Sequence, residues 1–472
     1  MTKKQNSLLI IASIGTFVEA LDIAIINLTI PAIQQQFQVD QDMVQWLQTL
    51  YVLFFGGFLI IGGKLTDSLG RRKIFLWGTL LFLVASLGAG LATSFLSLAI
   101  SRALQGLGAA FLMPASLAIV THTFRQPNER SRALGIFSSF AAIGSGSGLS
   151  VGGLISTYIS WHWVFLINVP ILLITFFAAI YNLPKDLPPV RTNRIDVLSG
   201  IILVAGLLLL TFSVHELLHI KERPLLISGS LFVSFLLISW FVRRLLTQQF
   251  PLISPKLFHN RHLVVSNLCF FLLGGFFIGF LFLISLLLQE DMGHTAAGAG
   301  MLLVPFSILS ALIAKFAIPK ITDRLTPTAI GVVGMTFMLI GSLFLLAAIY
   351  FKHPLFLVLL GAACISGIGM TLCFTSLSVL GVHNVPAAHY GVASSLTSTT
   401  YFMGAGLGLS LLTCIGQVFP SNTAVGSLSI GILILYASTA CALLLYLRYA
   451  NKNSAPVENS PRRLPEYDDC HA

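Results

Sequence analysis

Three ionisable side chains, those of Glu19, Asp22 and Arg102, lie within long apolar stretches of the sequence. A charge inside a bilayer costs about 2.5–3.5 kcal/mol even on lenient insertion scales, so these residues are candidates for function. Glu19 and Asp22 are three residues apart and share one helix face. At about 1.5 Å per residue, Asp22 lies roughly 12 Å and Arg102 roughly 10 Å from the outer ends of their predicted helices. An Asp22–Arg102 ion pair is therefore geometrically possible if these helices are neighbours.

The composition indicates that lipid surrounds most of the chain. Of 472 residues, 56% are hydrophobic and 9% are charged, whereas a soluble domain carries roughly 25% charged residues. So few charges cannot cover a water-facing surface, which excludes a soluble globular protein of this size. Six cysteines are scattered without metal-ligand spacing and are interpreted as small hydrophobic residues. The sequence therefore predicts no metal and no cofactor.

Fourteen apolar runs are long enough to span a bilayer as helices. The fold class predicted is an all-α integral membrane protein with both termini in the cytosol. The predicted spans are 8–30, 44–63, 74–94, 96–121, 132–157, 163–182, 197–215, 225–242, 263–289, 297–319, 328–350, 354–380, 391–415 and 424–447.

The positions of Lys and Arg support this count independently. With the N-terminus inside, 22 of the 27 Lys and Arg residues fall on the cytosolic side and three on the opposite side. Only Arg102 and Lys315 lie within spans, and Lys315 is close enough to a cytosolic helix end to reach the interface. This is the positive-inside pattern of a multi-pass cell-membrane protein. The net charge of +10 therefore sets topology and indicates no nucleic-acid partner.

Two longer cytosolic connections divide the spans into groups of six, two and six. The predicted domains are a six-helix bundle at 1–185, a two-helix insert with its linker at 186–250 and a second six-helix bundle at 251–450. The polar segment 451–472 carries three prolines and is predicted to be a disordered cytosolic tail.

The connection between the second and third spans carries a loop pattern. Residues 63–73, GKLTDSLGRRK, resemble the signature G-x-L-x-D-(R/K)-x-G-R-(R/K)-(R/K) of the major facilitator superfamily, with Ser68 in place of a basic residue. A weaker copy, ITDR at 321–324, follows the tenth span. The copy lies at the equivalent position of the second group of six, which supports two related halves.

Three further stretches resemble one branch of that superfamily, the fourteen-spanner drug:proton antiporters. Residues 21–31 resemble L-D-x-T-x-x-N-x-A-x-P, residues 102–108 resemble R-x-x-Q-G-x-G, and residues 161–170 resemble W-R-W-x-F-x-x-N-x-P. The antiporter pattern G-P-x-x-G-G is altered at 148–153, where Leu149 replaces the proline, and His162 replaces an arginine. The missing proline keeps a proton symporter open as an alternative.

The resemblance implies two six-helix bundles that export small amphipathic compounds in exchange for protons by alternating access. Two acidic residues in the path, Glu19 and Asp22, suit a cationic or weakly basic substrate. Asp22 and Arg102 are then predicted to couple proton movement, and Glu19, Asn27 and Gln105 to contact substrate. The chain contains no Walker loop, so an ion gradient is the expected energy source. Expected partners are the small-molecule substrate, protons and the lipid bilayer, with an adaptor protein only if the cell has an outer membrane. No oligomeric state is predicted.

Each of these roles has a simpler alternative. For the Asp22–Arg102 pair the alternative is a static link between two helices, and for Glu19 it is a role in packing or proton passage. The cargo alternative is a dedicated endogenous metabolite such as a siderophore.

The loop pattern implies a conformational latch, in which Asp67 pairs with a nearby helix end in one state. A carboxylate at a helix N-terminus gains roughly 0.3–1 kcal/mol, enough to bias a two-state switch. Plain positive-inside topology explains part of the same charge pattern. The latch residues predicted are Gly63, Asp67, Gly70, Arg71, Arg72, Asp323 and Arg324.

Glycines concentrate in the fifth span at Gly144, Gly146, Gly148, Gly152 and Gly153. Small residues let helix backbones approach closely, so this face is predicted to pack on another helix. The resemblance places that contact between the two halves and gives it a gating role; ordinary helix packing is the alternative.

The segment His215-Glu216-Leu217-Leu218-His219 matches H-E-x-x-H, the pattern of zinc proteases. Two histidines at this spacing share a helix face, with the glutamate as base. The segment falls at the outer end of the seventh span, and no second metal-ligand motif of an intramembrane protease is present in the sequence. An intramembrane zinc protease is therefore only a remote alternative, and no enzyme activity is predicted.

Overall fold

The structure is a computed structural model, in which the described residues are helical apart from short connections and contain no strand. The described residues are 2–124, 126–186, 196–217, 222–249, 251–322, 324–351, 354–383, 385, 390–418 and 424–453.

Fourteen long helices follow one another in these residues, as predicted. They are α1 Lys3–Leu28, α2 Gln41–Leu69, α3 Arg71–Gly90, α4 Phe95–Thr123, α5 Pro127–Tyr158, α6 His162–Asn182, α7 Val197–His215, α8 Pro224–Thr247, α9 Arg261–Asp291, α10 Ala296–Ala317, α11 Pro327–Tyr350, α12 Leu355–Val382, α13 Tyr390–Val418 and α14 Ala424–Asn453.

Thirteen of these helices are long and apolar enough to cross a membrane over their described residues. The other one, α13, is rich in Ser, Thr and Gly, which lowers its hydropathy, but its 29 residues exceed the roughly 20 needed to span the hydrocarbon. Local chemistry sets several boundaries: Asp40 caps α2 by accepting a hydrogen bond from the Met43 backbone at 3.0 Å, and Ser94 with Ser97 forms a capping box on α4.

The packing order divides the long helices into two bundles and an insert. Helix α1 packs against α4, α5 and α6, and α9 packs in the same way against α12, α13 and α14. Among the described residues, the two most extensive contacts between the bundles are those of α2 with α13 and of α5 with α10. Each is a second-position helix meeting a fifth-position helix, as expected for two related halves. Helix α7 lies on α2 and α13, and α8 lies on α7.

The insert is tied together at its cytosolic end. Asp196 caps α7 by accepting a hydrogen bond from the Ser199 backbone at 3.1 Å, and Arg244 of α8 lies 2.8 Å from the same carboxylate. Burial alone would raise the pKa of Asp196, but these hydrogen bonds and the Arg244 charge together lower it below its usual value. The carboxylate is therefore ionised at neutral pH and keeps the two inserted helices paired.

The domain limits 1–185, 186–250 and 251–450 stay predictions. Of the predicted tail 451–472, residues 451–453 continue α14, and the remainder lies outside the described residues.

Candidate functional site

Asp22 and Arg102 form an ion pair inside the first bundle, and both side chains are fully buried. The second carboxylate oxygen of Asp22 accepts hydrogen bonds from Gln105 Nε2 at 3.2 Å and from Asn168 Nδ2 at 3.0 Å. Gln105 also accepts from Arg102 Nη1 at 2.9 Å and donates to Ser86 Oγ at 2.9 Å. Side chains of α4 and α6 thus bind the Asp22 carboxylate of α1, and Ser86 of α3 joins the network through Gln105. The pair predicted from helix depth is present.

The Arg102 guanidinium has contacts besides Asp22. Its Nε donates to the Leu47 carbonyl oxygen at 3.2 Å. Its Cζ lies 4.3 Å from the Tyr51 ring centroid and 5.8 Å from that of Phe165, within the range of cation–π attraction. These contacts hold the guanidinium in place independently of the charge on Asp22.

The chemistry of this arrangement depends on the charge state of Asp22. Ionised Asp22 compensates Arg102 where no water reaches either group. Removing one partner of a buried ion pair costs about 3–5 kcal/mol, because the other charge is left uncompensated. The network is therefore stable when Asp22 is ionised and unfavourable when Asp22 takes up a proton.

Close backbone approach between α1 and α5 positions the acidic helix. A Cβ added at Gly144 would lie 2.4 Å from the Phe17 carbonyl oxygen, and one at Gly148 would lie 2.7 Å from that of Leu21. A Cβ added at Gly152 would likewise lie too close to the backbone of Ile25.

The expectation that these glycines pack between the two halves is therefore wrong for three of the five, whereas Gly146 and Gly153 do face the second bundle. Gly144, Gly148 and Gly152 recur every four residues and form one stripe, which faces α1 within the first bundle. Gly153 lies about 100° further around α5 and faces the second bundle, where an added Cβ would lie 2.1 Å from the Ala296 carbonyl oxygen.

Glu19 lies one turn from Asp22 on α1 but outside the Asp22 network. It is 7% exposed, and its Oε2 has no hydrogen-bond partner among the described residues. A buried carboxylate oxygen without a donor is available to a cationic or hydrogen-bonding ligand. Its role in substrate binding stays a prediction.

Asn27 is not brought to this site. Its side-chain amide donates to the Ile23 and Ala24 carbonyl oxygens at 3.1 Å and 3.2 Å, where α1 tightens into a final 3₁₀ turn. Five residues after Asp22, Asn27 points away from the acidic face. The geometry therefore gives no support to Asn27 as a substrate contact, whereas Gln105 is a full member of the Asp22 network.

Asp186, which follows α6 in the chain, lies at the N-terminal end of α3, next to the loop between α2 and α3. Its two carboxylate oxygens accept hydrogen bonds from the backbone N–H groups of Arg72 at 3.1 Å and Lys73 at 3.0 Å. Gly70 has φ of 100°, and an added Cβ there would lie 2.2 Å from the Asp186 carboxyl carbon. Gly70 is therefore required both by its backbone conformation and by this contact.

The remaining latch residues are more dispersed. Asp67 is exposed, and Gly63 lies opposite Ser395 of α13, with an added Cβ 3.5 Å from its hydroxyl. Arg72 Nη2 donates to the Ile180 carbonyl oxygen at 2.7 Å. None of these described residues pairs with Asp67 in this conformation, and the latch role of Asp67 stays a prediction. Of the other predicted latch residues, Arg71 takes part in interactions with other residues and Arg324 is exposed. Asp323 lies outside the described residues.

Asp186→Ala is expected to destabilise the protein by about 1 kcal/mol, because it removes the acceptor for two N–H groups at the start of α3. The measurement is the thermal unfolding midpoint of purified protein. Asp67→Asn removes an exposed charge from the same loop and serves as the control, with no change in midpoint. Equal effects of the two substitutions would refute the capping role of Asp186.

The H-E-x-x-H segment does not form a continuous helix through its described residues. Helix α7 ends at His215, and Glu216 is its C-cap residue. The His215 ring lies 5.6 Å from that of Trp46. Leu218 and His219 lie outside the described residues.

Three members of the Asp22 network were not predicted as site residues. Asn168 belongs to the WHWVFLINVP stretch, and that pattern was the available signal. Tyr51 and Ser86 carry no charge, and their proximity depends on how α2 and α3 pack against α4. No local sequence signal distinguishes them from ordinary lining residues of membrane helices.

A family model for the Major Facilitator Superfamily matches residues 12–409 of the chain. The chain belongs to the major facilitator superfamily. A protein of this superfamily is a membrane transporter and not an enzyme. The alternative of an intramembrane zinc protease is therefore excluded.

Two similar proteins have names that describe drug resistance or export. The chain is 28% identical over 428 residues to the multidrug resistance protein Stp of Mycobacterium tuberculosis, covering 90% of this chain and 78% of Stp. It is 30% identical over 418 residues to the cephamycin export protein CmcT of Amycolatopsis lactamdurans, covering 87% of this chain and 85% of CmcT.

A solved structure shares the superfamily fold. The crystal structure of an auto-inhibited POT family peptide transporter superposes with a TM-score of 0.66 over 97% of this chain and 98% of the other. The two sequences are 15% identical, so this likeness concerns the fold alone.

Proposed function

We propose that this major facilitator superfamily transporter exports small amphipathic compounds, cationic ones in particular, in exchange for protons by alternating access. The observation that carries the proposal is the fully buried Asp22–Arg102 pair with its amide partners. Ionisable residues that pair inside a membrane protein mark ion pathways and proton relays. The names of the two relatives, multidrug resistance and cephamycin export, support the outward direction.

Proton uptake by Asp22 is the event that links the ion gradient to the conformation. Protonation cancels the charge that compensates Arg102 and favours a rearrangement of α1 against α4. The loss of a buried pair is worth about 3–5 kcal/mol. A shift in a two-state equilibrium from 1:99 to 99:1 needs about 5.5 kcal/mol. One proton therefore supplies most of the energy needed to change which conformation is populated.

Glu19→Gln is expected to raise KM for cationic substrates by about 10–100-fold, because a hydrogen bond to a charged group contributes roughly 1.5–3 kcal/mol. KM for neutral substrates should change little. The measurement is the initial rate of transport for a cationic and a neutral substrate. Glu222→Gln, at an exposed position outside the membrane helices, is the control. Equal losses for both substrates would refute a selective contact at Glu19.

The test of antiport uses proteoliposomes in which the cytosolic face of the transporter points outward. With an acidic interior, we expect substrate to accumulate inside while protons leave, and nigericin to abolish the accumulation. Accumulation driven by an alkaline interior would establish symport and overturn the proposal. Transport at the same rate with and without the pH gradient would show that transport is not coupled to protons.

The same assay separates a multidrug exporter from the dedicated exporter that the CmcT comparison favours. A panel of cationic, neutral and acidic compounds is supplied at equal concentration. Transport of several unrelated cations supports multidrug export. Transport of one compound with rejection of the rest supports a dedicated exporter.

A further inference from the structure

The two bundles touch along the outer part of the α5–α10 seam and separate towards the cytosol. Near the outer surface, the Ala297 backbone donates to Thr157 Oγ1 at 2.9 Å. At mid-helix, an added Cβ at Gly146 would lie 2.3 Å from Ser307 Cβ. A cleft of about 480 Å³ lies between the helices at this level and extends inward as far as Ser139 of α5 and Phe316 of α10.

The walls of the cleft combine lipid-facing apolar side chains with hydroxyl groups and one cation. Ile143 of α5 and Ile308 of α10 are 54% and 55% exposed, so the cleft is open sideways to the bilayer. The polar lining residues are Ser139, Ser147, Ser150, Ser307 and Lys315.

Lys315 is the charged group of the cleft. It lies eight residues inward from Ser307, about 12 Å along α10. A short helical segment, Ile318–Thr322, continues α10 towards the cytosol, and its end lies seven residues, about 10 Å, from Lys315. No carboxylate among the described residues lies within ion-pair distance of its amine, and its Nζ is 5.1 Å from the Phe316 ring centroid. Its depth is that of the inner phosphate layer when the lysine stem extends towards the interface.

The backbone of α10 changes its winding at the cationic part of the cleft. Residues Ile313–Ala317 form a π-helical segment that contains Lys315 and Phe316. Such segments insert one extra residue per turn, turn side chains away from their α-helical directions and are frequent at functional sites. The winding is thus altered at the residues that line the mouth of the cleft.

We propose that this cleft binds an anionic phospholipid of the cytosolic leaflet. The phosphate lies on Lys315, the ester region faces the serine hydroxyls, and one acyl chain lies between Ile143 and Ile308. Charge complementarity selects this occupant, because cationic pockets between membrane helices on the cytosolic side bind anionic headgroups. The lipid acts as a wedge that keeps the cytosolic parts of α5 and α10 apart, so anionic lipid stabilises the conformation in which the outer seam is closed.

Native mass spectrometry of protein extracted from nanodiscs of equal phosphatidylglycerol and phosphatidylcholine tests the site. The wild-type protein is expected to retain phosphatidylglycerol selectively, and Lys315→Gln to lower that retention several-fold. Lys320→Gln is the matched control, because Lys320 lies on the same helical rod, is exposed and is not part of the cleft lining. Ile308→Trp fills the acyl groove with the charge intact and is expected to lower retention as well.

Two results would overturn the proposal. Equal loss of phosphatidylglycerol in the two lysine variants would show general attraction of anionic lipid to a basic surface. Displacement of the retained lipid by millimolar sn-glycerol phosphate would show a simple anion site without an acyl groove. Both readouts are binding measurements, so they stand or fall independently of the direction and coupling of transport.

Discussion

Asp22→Asn is expected to abolish proton-driven accumulation of substrate, with a loss of about 100-fold or more, while substrate exchange across the membrane continues. Asparagine matches the shape of a protonated Asp22 but cannot release a proton, so the Arg102 network stays permanently in its uncompensated state. Breaking a buried pair is worth about 3–5 kcal/mol, which sets the size of the loss. The measurement compares pH-gradient-driven uptake with substrate counterflow, which needs no proton, in the same proteoliposomes.

The control for this experiment is Asp40→Asn. Asp40 is exposed and caps α2, and asparagine caps helices about as well as aspartate. This substitution therefore removes one carboxylate and leaves both activities unchanged. Full proton-driven uptake by the Asp22→Asn protein would contradict the coupling role. Loss of counterflow together with uptake in well-folded protein would assign Asp22 to a structural pair instead.

Gly153→Ala is expected to lower substrate turnover by about 5–150-fold. An added Cβ would lie 2.1 Å from the Ala296 carbonyl oxygen, and a backbone atom in a helix cannot move aside cheaply. Overpacking of this kind costs about 1–3 kcal/mol. The cost falls on the conformation in which the outer ends of α5 and α10 touch, so the exchange between conformations is slowed or biased. Turnover in proteoliposomes is the measurement.

Gly135→Ala provides the matched control, because it is the same substitution on the same helix where an added Cβ meets nothing within 4 Å. It should leave turnover unchanged, and the alanine slightly favours the helix. Similar turnover in both variants would show that the outer seam tolerates the extra methyl group and does not limit the transport cycle.

Much of the fold follows from two one-dimensional properties of the sequence. Apolar length located the membrane helices, and the distribution of Lys and Arg fixed their direction. The hydropathy signal is weakest at α13, because Ser, Thr and Gly lower its mean hydropathy. This helix contacts both bundles. Inside a membrane protein, a helix shielded by its neighbours has less need of apolar side chains.

The Asp22–Arg102 pair was also accessible from the sequence, because helix rise converts residue counts into depth. The depth of a residue in the membrane does not indicate which uncharged side chains lie next to the Asp22–Arg102 pair. Asn168 and Tyr51 reach Asp22 and Arg102 from helices far away in the chain. Their contribution depends on tertiary packing, which residue spacing within one helix does not encode.

Where the structure differs from the predicted site, the reason is again the packing of helices against one another. Asn27 shares a sequence pattern with Asp22 but points to another side of α1 and bonds to its own helix backbone. Asp186 caps α3 from 113 residues away in the chain, a contact that residue spacing within the loop does not indicate. A single pattern can therefore contain residues that face different neighbours.

Proton release on substrate binding tests the central claim most directly. Substrate is added to purified transporter in weakly buffered detergent solution, and the pH change is recorded. The account predicts release of up to one proton per protein for the wild type, because substrate binding favours the state in which Asp22 is ionised and paired with Arg102, so protein molecules that carry a proton on Asp22 give it up. It predicts no release for Asp22→Asn with substrate binding retained. Equal proton release by the two proteins would contradict the assignment of Asp22 as the coupling carboxylate.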